Sequence, residues 1–374
     1  MTYLPPAVRL RRSRAGRALA LLLLAGVAMA LDAACAWPDV LPRSSPGATT
    51  ATLAVFGDVN NGRSDVPSPV FGYVCTGIRH TGARVALSTG DALNDIADTS
   101  ATVALGRWRA YMAVETPMLG DFMPVWRTAG DNDRLDVAPR LEAWNQVFSN
   151  YPTRPDAGRR WYAKSLLGIH VILLNTAYAD HVGSIGYVSE SSPSNSAEAT
   201  WLVSDLKAAT AGRGRKTIVV VTHYPLMNGK TTKPYSGTQQ TEATALESLF
   251  AKYGVDMVLA GDTHVYRRTM LTVVKSGVSY EVPYIQVPPA VSGARSFGVS
   301  PIPALSSGEA GWAPDPGHRG FLKLRCKSKA HTLSLSVLAV AVSGGAVSSA
   351  EGQKANANTL GGTFADIPEG SRPQ

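Results

Sequence analysis

Four short apolar runs of this chain each end in a glycine followed by an aspartate, and this repeated ending constrains the fold most strongly. The runs AVFGD, LSTGD, RTAGD and VLAGD end on Asp58, Asp91, Asp131 and Asp262, and a fifth run, VVVTH, ends on His223. Short apolar runs bounded by turn residues predict buried strands. Ligands of an open α/β sheet bind outside the carboxyl ends of its strands, so we expect these five side chains to meet at one rim.

Strands and helices alternate along much of the chain, which predicts a mixed α/β fold. Amphipathic periodicity predicts helices over 196–211 and 241–253. Beyond residue 265 the pattern becomes all-β, with four further apolar runs. The strands of the alternating part are predicted at 52–56, 83–88, 124–129, 170–175, 217–222 and 256–260.

The N-terminal segment has the pattern of an export signal. Five arginines precede the apolar run 18–31, and small residues follow it. The run is shorter than the roughly 20 residues that a membrane-spanning helix needs, so we expect a cleaved signal peptide at 1–36. A Pro/Ser-rich linker at 37–50, one folded domain at 51–342 and a disordered tail at 343–374 complete the predicted organisation.

Three other interpretations of the N-terminus stay open: a lipoprotein signal at Cys35, a twin-arginine signal at Arg11 and Arg12, and an uncleaved membrane anchor. With cleavage the protein would be periplasmic or extracellular and would keep no stable membrane anchor. The net charge would fall from +8 to +4, because the segment holds five arginines and one aspartate. Nucleic acid is therefore not an expected partner. Cys75 and Cys326 could pair in an oxidising compartment, and the oligomeric state stays open.

The clustered acids predict a metal site. One Gly-Asp pair after a strand is usually an ordinary turn, but four such pairs would bring their carboxylates together. Carboxylates in one cleft repel one another unless cations neutralise them. With His223, and with His264 two residues after Asp262, the set implies one or two divalent ions.

The order of these motifs resembles that of the calcineurin-like metallophosphoesterase superfamily, and particularly its purple-acid-phosphatase-like branch. The motifs that carry the resemblance are GDVN (57–60), GDALND (90–95), GDND (130–133), THYPL (222–226) and GDTHVYRR (261–268). The likeness extends from about residue 52 to about 340. It implies an α/β/β/α sandwich of two mixed β-sheets flanked by helices.

The resemblance also implies a site for two divalent ions, which could be Mn²⁺, Mg²⁺, Fe or Zn²⁺. Its function would be hydrolysis of a small phosphorylated substrate by in-line attack of a metal-bridging hydroxide. The first metal would take Asp58, Asp91 and His264, and the second would take Asp91, Asp131, His223 and Asp262, with Asp91 as the bridge.

Several positions depart from the family pattern. Asn60 stands where many relatives have a histidine, and Asn94 stands where purple acid phosphatases have a tyrosine. Both asparagines are candidate metal or substrate contacts. Asp131 replaces an asparagine and Asp262 replaces a histidine. The site is therefore rich in carboxylates, which favours harder ions such as Mn²⁺ or Mg²⁺.

The catalytic residues implied by the resemblance are Asn132, Asp133 and Asp91, with Arg134 as a candidate substrate contact. Asn132 replaces a histidine that in relatives protonates the leaving group or stabilises the transition state, and an amide donates a hydrogen bond but is no general acid. His80 and His181 are candidate replacements for that acid. The alternative function is a degenerate, non-catalytic protein of the same fold that binds phosphate or a partner.

Overall fold

The computed structural model describes residues 50–60, 68–94, 100–148, 160–176, 185, 187, 189, 196–211, 216–225, 238–275, 278–292, 310–312, 318–327, 332–341, 343 and 347–349. The chain divides into residues 1–38 and 39–374, and the first unit lies wholly outside the described residues. The predicted signal peptide, and the predicted linker up to residue 49, therefore also lie outside them. All the described strands and helices belong to the second unit.

The first sheet contains six strands: β1 (Thr50–Phe56), β2 (Val85–Ser88), β3 (Val125–Arg127), β11 (His318–Lys327), β12 (Thr332–Ala341) and β13 (Val347–Ser349). Their order is β13-β12-β11-β1-β2-β3. β1 runs parallel to β2, and β2 runs parallel to β3. The remaining neighbours are antiparallel, so the sheet is mixed.

The second sheet contains seven strands: β4 (Tyr162–Leu166), β5 (Ile169–Leu173), β6 (Thr217–Val221), β7 (Met257–Ala260), β8 (Tyr266–Lys275), β9 (Val278–Gln286) and β10 (Ala310–Trp312). Their order is β10-β8-β9-β7-β6-β5-β4. The four central strands β9, β7, β6 and β5 are parallel, and the strands beyond them on either side pair antiparallel. This sheet is therefore also mixed.

The two sheets pack face to face through alternate residues of their strands. Leu53 and Val55 of β1 share one buried core with Val171 of β5, Val221 of β6 and Leu259 of β7. Successive side chains of a strand point to opposite faces, so the intervening residues are free to face helices. The buried layer between the sheets is almost entirely aliphatic, as expected for strands whose sequences are continuous apolar runs.

Helices cover both outer faces. The described part of the chain forms α1 (Pro69–His80), α2 (Ala101–Glu115), α3 (Ala138–Val147), α4 (Ala197–Thr210) and α5 (Thr238–Lys252), and a π-helical turn, Thr116–Gly120, continues α2. Phe71 of α1 lies 5.9 Å from Phe56 of β1 and 5.3 Å from Tyr111 of α2, measured between ring centroids. On the other face, Leu202 of α4 and Leu246 of α5 share a buried cluster with strands β5 and β6.

The structure confirms the predicted α/β/β/α sandwich of two mixed sheets. Each strand and each of the two helices predicted for the alternating part has a counterpart within a few residues of its expected place. Within the predicted tail at 343–374, β13 pairs with β12, and residues 350–374 lie outside the described residues. Within the described residues, no helix is both long enough and apolar enough to cross a membrane.

Candidate metal centre

The predicted site residues follow the ends of parallel strands. Asp58 follows β1, Asp91 follows β2 and Asp131 follows β3 in the first sheet. In the second sheet His223 follows β6, and the loop after β7 carries Asp262 and His264. The two sets of loops are joined, because the backbone N–H of Asp262 donates to Asp58 Oδ1 at 3.1 Å. His223 Nδ1 likewise lies 2.8 Å from the carbonyl oxygen of Thr89.

Five of the six predicted ligands meet in two groups that share one aspartate. Asp58, Asp91 and His264 form the first group, and Asp91, Asp131 and His223 form the second. Within each group, one ligand atom of every residue lies within 4.8 Å of the others. The shared residue is Asp91, as the resemblance implied. Asp262 belongs to neither of these two groups of described residues, and its backbone N–H donates to Asp58 Oδ1.

Glycine is required where two of these loops cross. A Cβ added to Gly130 would overlap the backbone and Oδ1 of Asp91, and one added to Gly90 would overlap the backbone of Gly130. A Cβ on Gly261 would stand 2.8 Å from Thr89 Oγ1 and 3.3 Å from Asp58 Oδ2. Each Gly-Asp pair therefore lets two loops approach closely enough for their carboxylates to meet.

The backbone is strained at four of the six predicted metal ligands. The φ angles are 52° at Asp58, 58° at Asp91, 66° at Asp262 and 56° at His264. A non-glycine residue in this left-handed region costs of order 1–3 kcal/mol and persists only where surrounding structure enforces it. Such strain concentrates at functional sites, and here it turns acid and imidazole side chains inward.

Amide groups hold both carboxylate oxygens of Asp91. Asn60 Nδ2 donates to Oδ2 at 2.8 Å, and the backbone N–H of Asn132 donates to Oδ1 at 3.0 Å. The side-chain amide of Asn132 also donates to Oδ2. Ser292 Oγ contacts both oxygens of Asn60 and so fixes the direction in which its amide points.

A second network holds Asp131. Its Oδ1 lies 3.0 Å from His223 Nε2, and the hydroxyl of Tyr224 donates to its Oδ2 at 3.1 Å. Thr176 Oγ1 accepts the backbone N–H groups of both His223 and Tyr224, at 3.1 and 3.0 Å. His223 Nε2 also lies 3.3 Å from Asp91 Oδ1, so the histidine contacts both acids of its group.

Asp133, predicted to be catalytic, makes contacts of a different kind. Its carboxylate accepts the backbone N–H groups of Asp91, Leu93 and Gly130 at 3.1, 2.9 and 2.8 Å, and its exposed fraction is 1%. A carboxylate that accepts these backbone N–H groups holds together the loops that carry them. These contacts identify Asp133 as a positioning residue.

The remaining candidates lie at the margin of the site. Arg134 pairs with Asp136 of its own loop, with Nε 3.1 Å from Oδ1. Asn94 is buried, and its carbonyl oxygen accepts from Arg140 at 2.8 Å. His80, a candidate acid, is exposed at the C-terminal end of α1, next to the start of β2 and at the opposite edge of the sheet. His181 lies outside the described residues.

Burial and mutual repulsion keep protons in this cluster. Burial raises the pKa of Asp91 well above its ordinary value, and the charges of Asp131 and Asp58 raise it further against the opposing effect of His223. Burial alone would lower the pKa of His223, but Asp91, Asp131 and Asp58 together outweigh it and raise the pKa well above normal. The cluster thus lacks the positive charge that several ionised carboxylates need.

The ligand set fits divalent cations. Three carboxylates and two imidazoles are oxygen and nitrogen donors of the kind that bind Mn²⁺, Mg²⁺, Fe or Zn²⁺. Cations of this size lie about 2.0–2.2 Å from their ligands, so ligand atoms on opposite sides of one ion are about 4 Å apart. The ligand atoms of each group lie within 4.8 Å of one another, a span that one such ion can fill.

Some residues of the site were not predicted. Arg140 is buried and joins two loops by donating to the carbonyl oxygens of Asn132 and Asn94. Ser292 and Thr176 act through hydrogen bonds across long stretches of sequence, and no local pattern marks them. Tyr224 had one usable signal, since it adjoins His223 in the THYPL motif.

The sequence matches the family model described as Calcineurin-like phosphoesterase over residues 51–266, and the chain belongs to that family. Two solved structures resemble it more distantly. One is "GAP50 the anchor in the inner membrane complex of Plasmodium", with a TM-score of 0.48 and 12% identity, covering 80% of this chain and 88% of that chain. The other is Phosphopantetheinyl Hydrolase (PptH) from Mycobacterium tuberculosis, with a TM-score of 0.31 and 10% identity, covering 65% and 91%. Neither likeness carries an argument about function.

Proposed function

We propose that the chain is an exported, metal-dependent phosphoesterase that hydrolyses small phosphate esters. The observation that carries the proposal is the pair of ligand groups that share Asp91 at one rim of a calcineurin-like phosphoesterase fold. Two divalent cations, when bound, would polarise a phosphoryl oxygen and activate water for attack. Asp58, Asp91 and His264 would hold one cation, and Asp91, Asp131 and His223 would hold the other.

The chain's own residues orient these ligands. The amides of Asn60 and Asn132 fix Asp91, and the imidazole of His223 and the phenol of Tyr224 fix Asp131. Such supporting contacts typically change metal affinity or activity by 10- to 100-fold. Asp133 and Arg140 hold the loops that carry them.

Asn132 sets a limit on the chemistry. Its amide can donate a hydrogen bond to a phosphoryl oxygen but cannot protonate a leaving group. Loss of general acid catalysis costs on the order of 100-fold or more for a poor leaving group. We therefore expect the enzyme to prefer esters whose leaving group departs without a proton. The three carboxylates also favour Mn²⁺ or Mg²⁺ over Zn²⁺.

Export rests on the N-terminal sequence. The arginine-rich start and the short apolar run support a signal peptide removed near residue 36, which would leave a periplasmic or extracellular protein without a stable membrane anchor. The modest charge of the mature chain gives no support for a nucleic-acid partner. Expression of the full chain, followed by cell fractionation and N-terminal mass spectrometry, tests this part of the proposal.

The central experiment combines metal content with hydrolysis. Protein stripped by a chelator is reloaded with Mn²⁺, Mg²⁺, Fe or Zn²⁺, desalted and assayed by elemental mass spectrometry. Hydrolysis of p-nitrophenyl phosphate and of bis-p-nitrophenyl phosphate is then compared for the wild type, Asp91→Asn and the exposed control Asp121→Asn. We expect two ions per chain and hydrolysis in the wild type and the control, and loss of both in Asp91→Asn.

A second candidate function is a non-catalytic protein of the same fold that binds phosphate. It is favoured by the amide of Asn132 at the position of an acid, and by the place of Asp262 outside both ligand groups. Under this alternative the wild type would retain metal and bind inorganic phosphate, as measured by calorimetry, without hydrolysing either ester. No retained metal under any loading would contradict both functions.

A further inference from the structure

A second cluster of chemically active side chains lies at the edge of the second sheet opposite the ligand groups. Its members are Ser165 on β4, His170 on β5, Asp205 on α4, and Lys216, which directly precedes β6. Lys216 stands at the amino-terminal end of β6, whereas His223 follows the carboxyl end. At about 3.3 Å per residue, the strand separates these two residues by about 20 Å. The two sites are therefore separate.

The geometry is that of a nucleophile, a base and an orienting acid. Ser165 Oγ lies 3.0 Å from His170 Nδ1, and His170 Nε2 lies 2.7 Å from Asp205 Oδ2. Because the carboxylate accepts, the neutral imidazole carries its proton on Nε2. The lone pair on Nδ1 is then available to the hydroxyl of Ser165. This is the order of contacts that activates a serine, with the two ring nitrogens exchanged relative to the usual triad.

A cation completes the cluster. Lys216 Nζ donates to Ser165 Oγ at 3.3 Å. A fixed positive charge beside this oxygen stabilises the negative charge that develops when the hydroxyl loses its proton. Ser165 thus has a proton acceptor on one side and a positive charge on the other.

The backbone holds the serine and the histidine in register. Ser165 and His170 lie directly opposite each other in the antiparallel pair of β4 and β5. The two-residue turn between the strands, Leu167 and Gly168, has φ angles of 48° and 84°, which suit the tight turn of a hairpin. His170 is buried, while Ser165 is exposed and open to a reagent from solvent.

From this geometry we infer that Ser165 is a nucleophile that accepts an acyl group from an activated ester, without any metal. The serine oxygen forms a bond to the acyl carbon and its proton moves to His170 Nδ1. The bond from the acyl carbon to the leaving oxygen breaks, and the proton passes from Nδ1 to that oxygen. Water then repeats the sequence, releasing the carboxylic acid and restoring Ser165. Asp205 stabilises the transient imidazolium.

A fluorophosphonate trap tests the inference on the full chain, in chelator so that metal takes no part. The serine oxygen displaces fluoride from phosphorus, and intact mass spectrometry follows the adduct while peptide mapping locates it. We expect one adduct on Ser165 and none there in Ser165→Ala. The rate should fall at least about 100-fold in His170→Asn, since positioned general bases contribute 10²–10⁴-fold. Asp91→Asn and the exposed control His80→Asn should label like the wild type.

Two results would overturn the inference. One is the absence of an adduct on Ser165 in the folded wild type, a result that can be interpreted without any variant. The other is an adduct that forms at the same rate in His170→Asn or after heat unfolding of the wild type. Either result would leave the cluster as an anchor that ties the β4–β5 hairpin to α4. Folding of each variant is checked by circular dichroism before labelling.

Discussion

The two ligand groups share Asp91 but are held in place by different means. Asp58 and His264 of the first group have left-handed backbones, with φ of 52° and 56°. Asp131 and His223 of the second group are not among the described residues with positive φ. Side-chain hydrogen bonds position them instead, through Tyr224, Thr176 and each other.

This difference indicates two ways to preorganise a metal ligand. A strained backbone fixes the direction of a side chain through the loop that carries it. The strain lowers the free energy of unfolding. A hydrogen-bond network fixes the side chain itself, and its removal affects metal affinity more than folding. Single substitutions can separate these two contributions, and the largest effect is expected at the residue that both groups share.

Replacement of the shared ligand should damage both groups together. We expect Asp91→Asn to lower Mn²⁺ affinity at least about 100-fold, because an amide offers one oxygen and no charge to two cations. Calorimetric titration of stripped protein measures this effect. Asp121→Asn, at an exposed position, should titrate like the wild type. Loss of one ion only would show that Asp91 does not bridge.

A methyl group at the loop crossing should affect folding. We expect Gly130→Ala to lower the free energy of unfolding by about 1–3 kcal/mol, because its Cβ would overlap Asp91. Gly106→Ala is the matched control, since Gly106 is exposed within α2 and a Cβ there meets no atom within 4 Å. That change should raise the free energy by about 1 kcal/mol. Urea unfolding measures both, and equal effects would mean that the crossing is not tightly packed.

Protons retained by the second group should make metal binding depend on pH. The pKa values of Asp91 and His223 are raised in the folded protein, so the stability that they contribute without metal is present at low pH and lost as the pH rises through those values. Cations displace these protons, so stabilisation by Mn²⁺ should grow as the pH rises toward the raised pKa values and level off above them, by up to about 1.4 kcal/mol per pH unit for each proton displaced. Thermal unfolding with and without Mn²⁺ gives the slope, and a slope of zero would contradict the assignment.

Removal of one supporting hydroxyl should have the smallest effect. We expect Tyr224→Phe to lower Mn²⁺ affinity about 10-fold by releasing one oxygen of Asp131, with little change in folding free energy. Tyr73→Phe, at a more exposed tyrosine of α1, is the control. If Tyr224→Phe destabilised the fold as much as Gly130→Ala does, the distinction between backbone and side-chain preorganisation would fail.

The strands and the rim were predictable because their signal is local. An apolar run followed by Gly-Asp marks a buried strand and its carboxyl end within a few residues. Helices α2 and α3 are harder to predict from sequence. They bury the polar residues Arg107, Glu115 and Arg140, so their sequences show no clear apolar face. Glu115 pairs with Arg127 inside the protein, and no periodicity reveals a buried ion pair.

The supporting residues of the site depend on distant partners. Asp133 looked like part of a catalytic motif, yet its carboxylate binds backbone amides of a loop about 40 residues earlier. Asp262 occupies a ligand position in the motif but lies in neither ligand group, and its backbone N–H donates to Asp58. A motif thus identifies which residues reach the rim, whereas tertiary contacts decide which of their atoms face it.

The contact between Ser292 and Asn60 has a consequence for how the protein forms. These residues are 232 positions apart, and β1 also pairs with β11, which begins still later in the chain. Contacts of such long range form slowly, because the chain loses the entropy of a long loop before the contact stabilises it. During synthesis from the N-terminus, the GDVN loop would be made early, long before Ser292 and β11, which hold it in place. The centre should therefore assemble only once nearly the whole domain has been made.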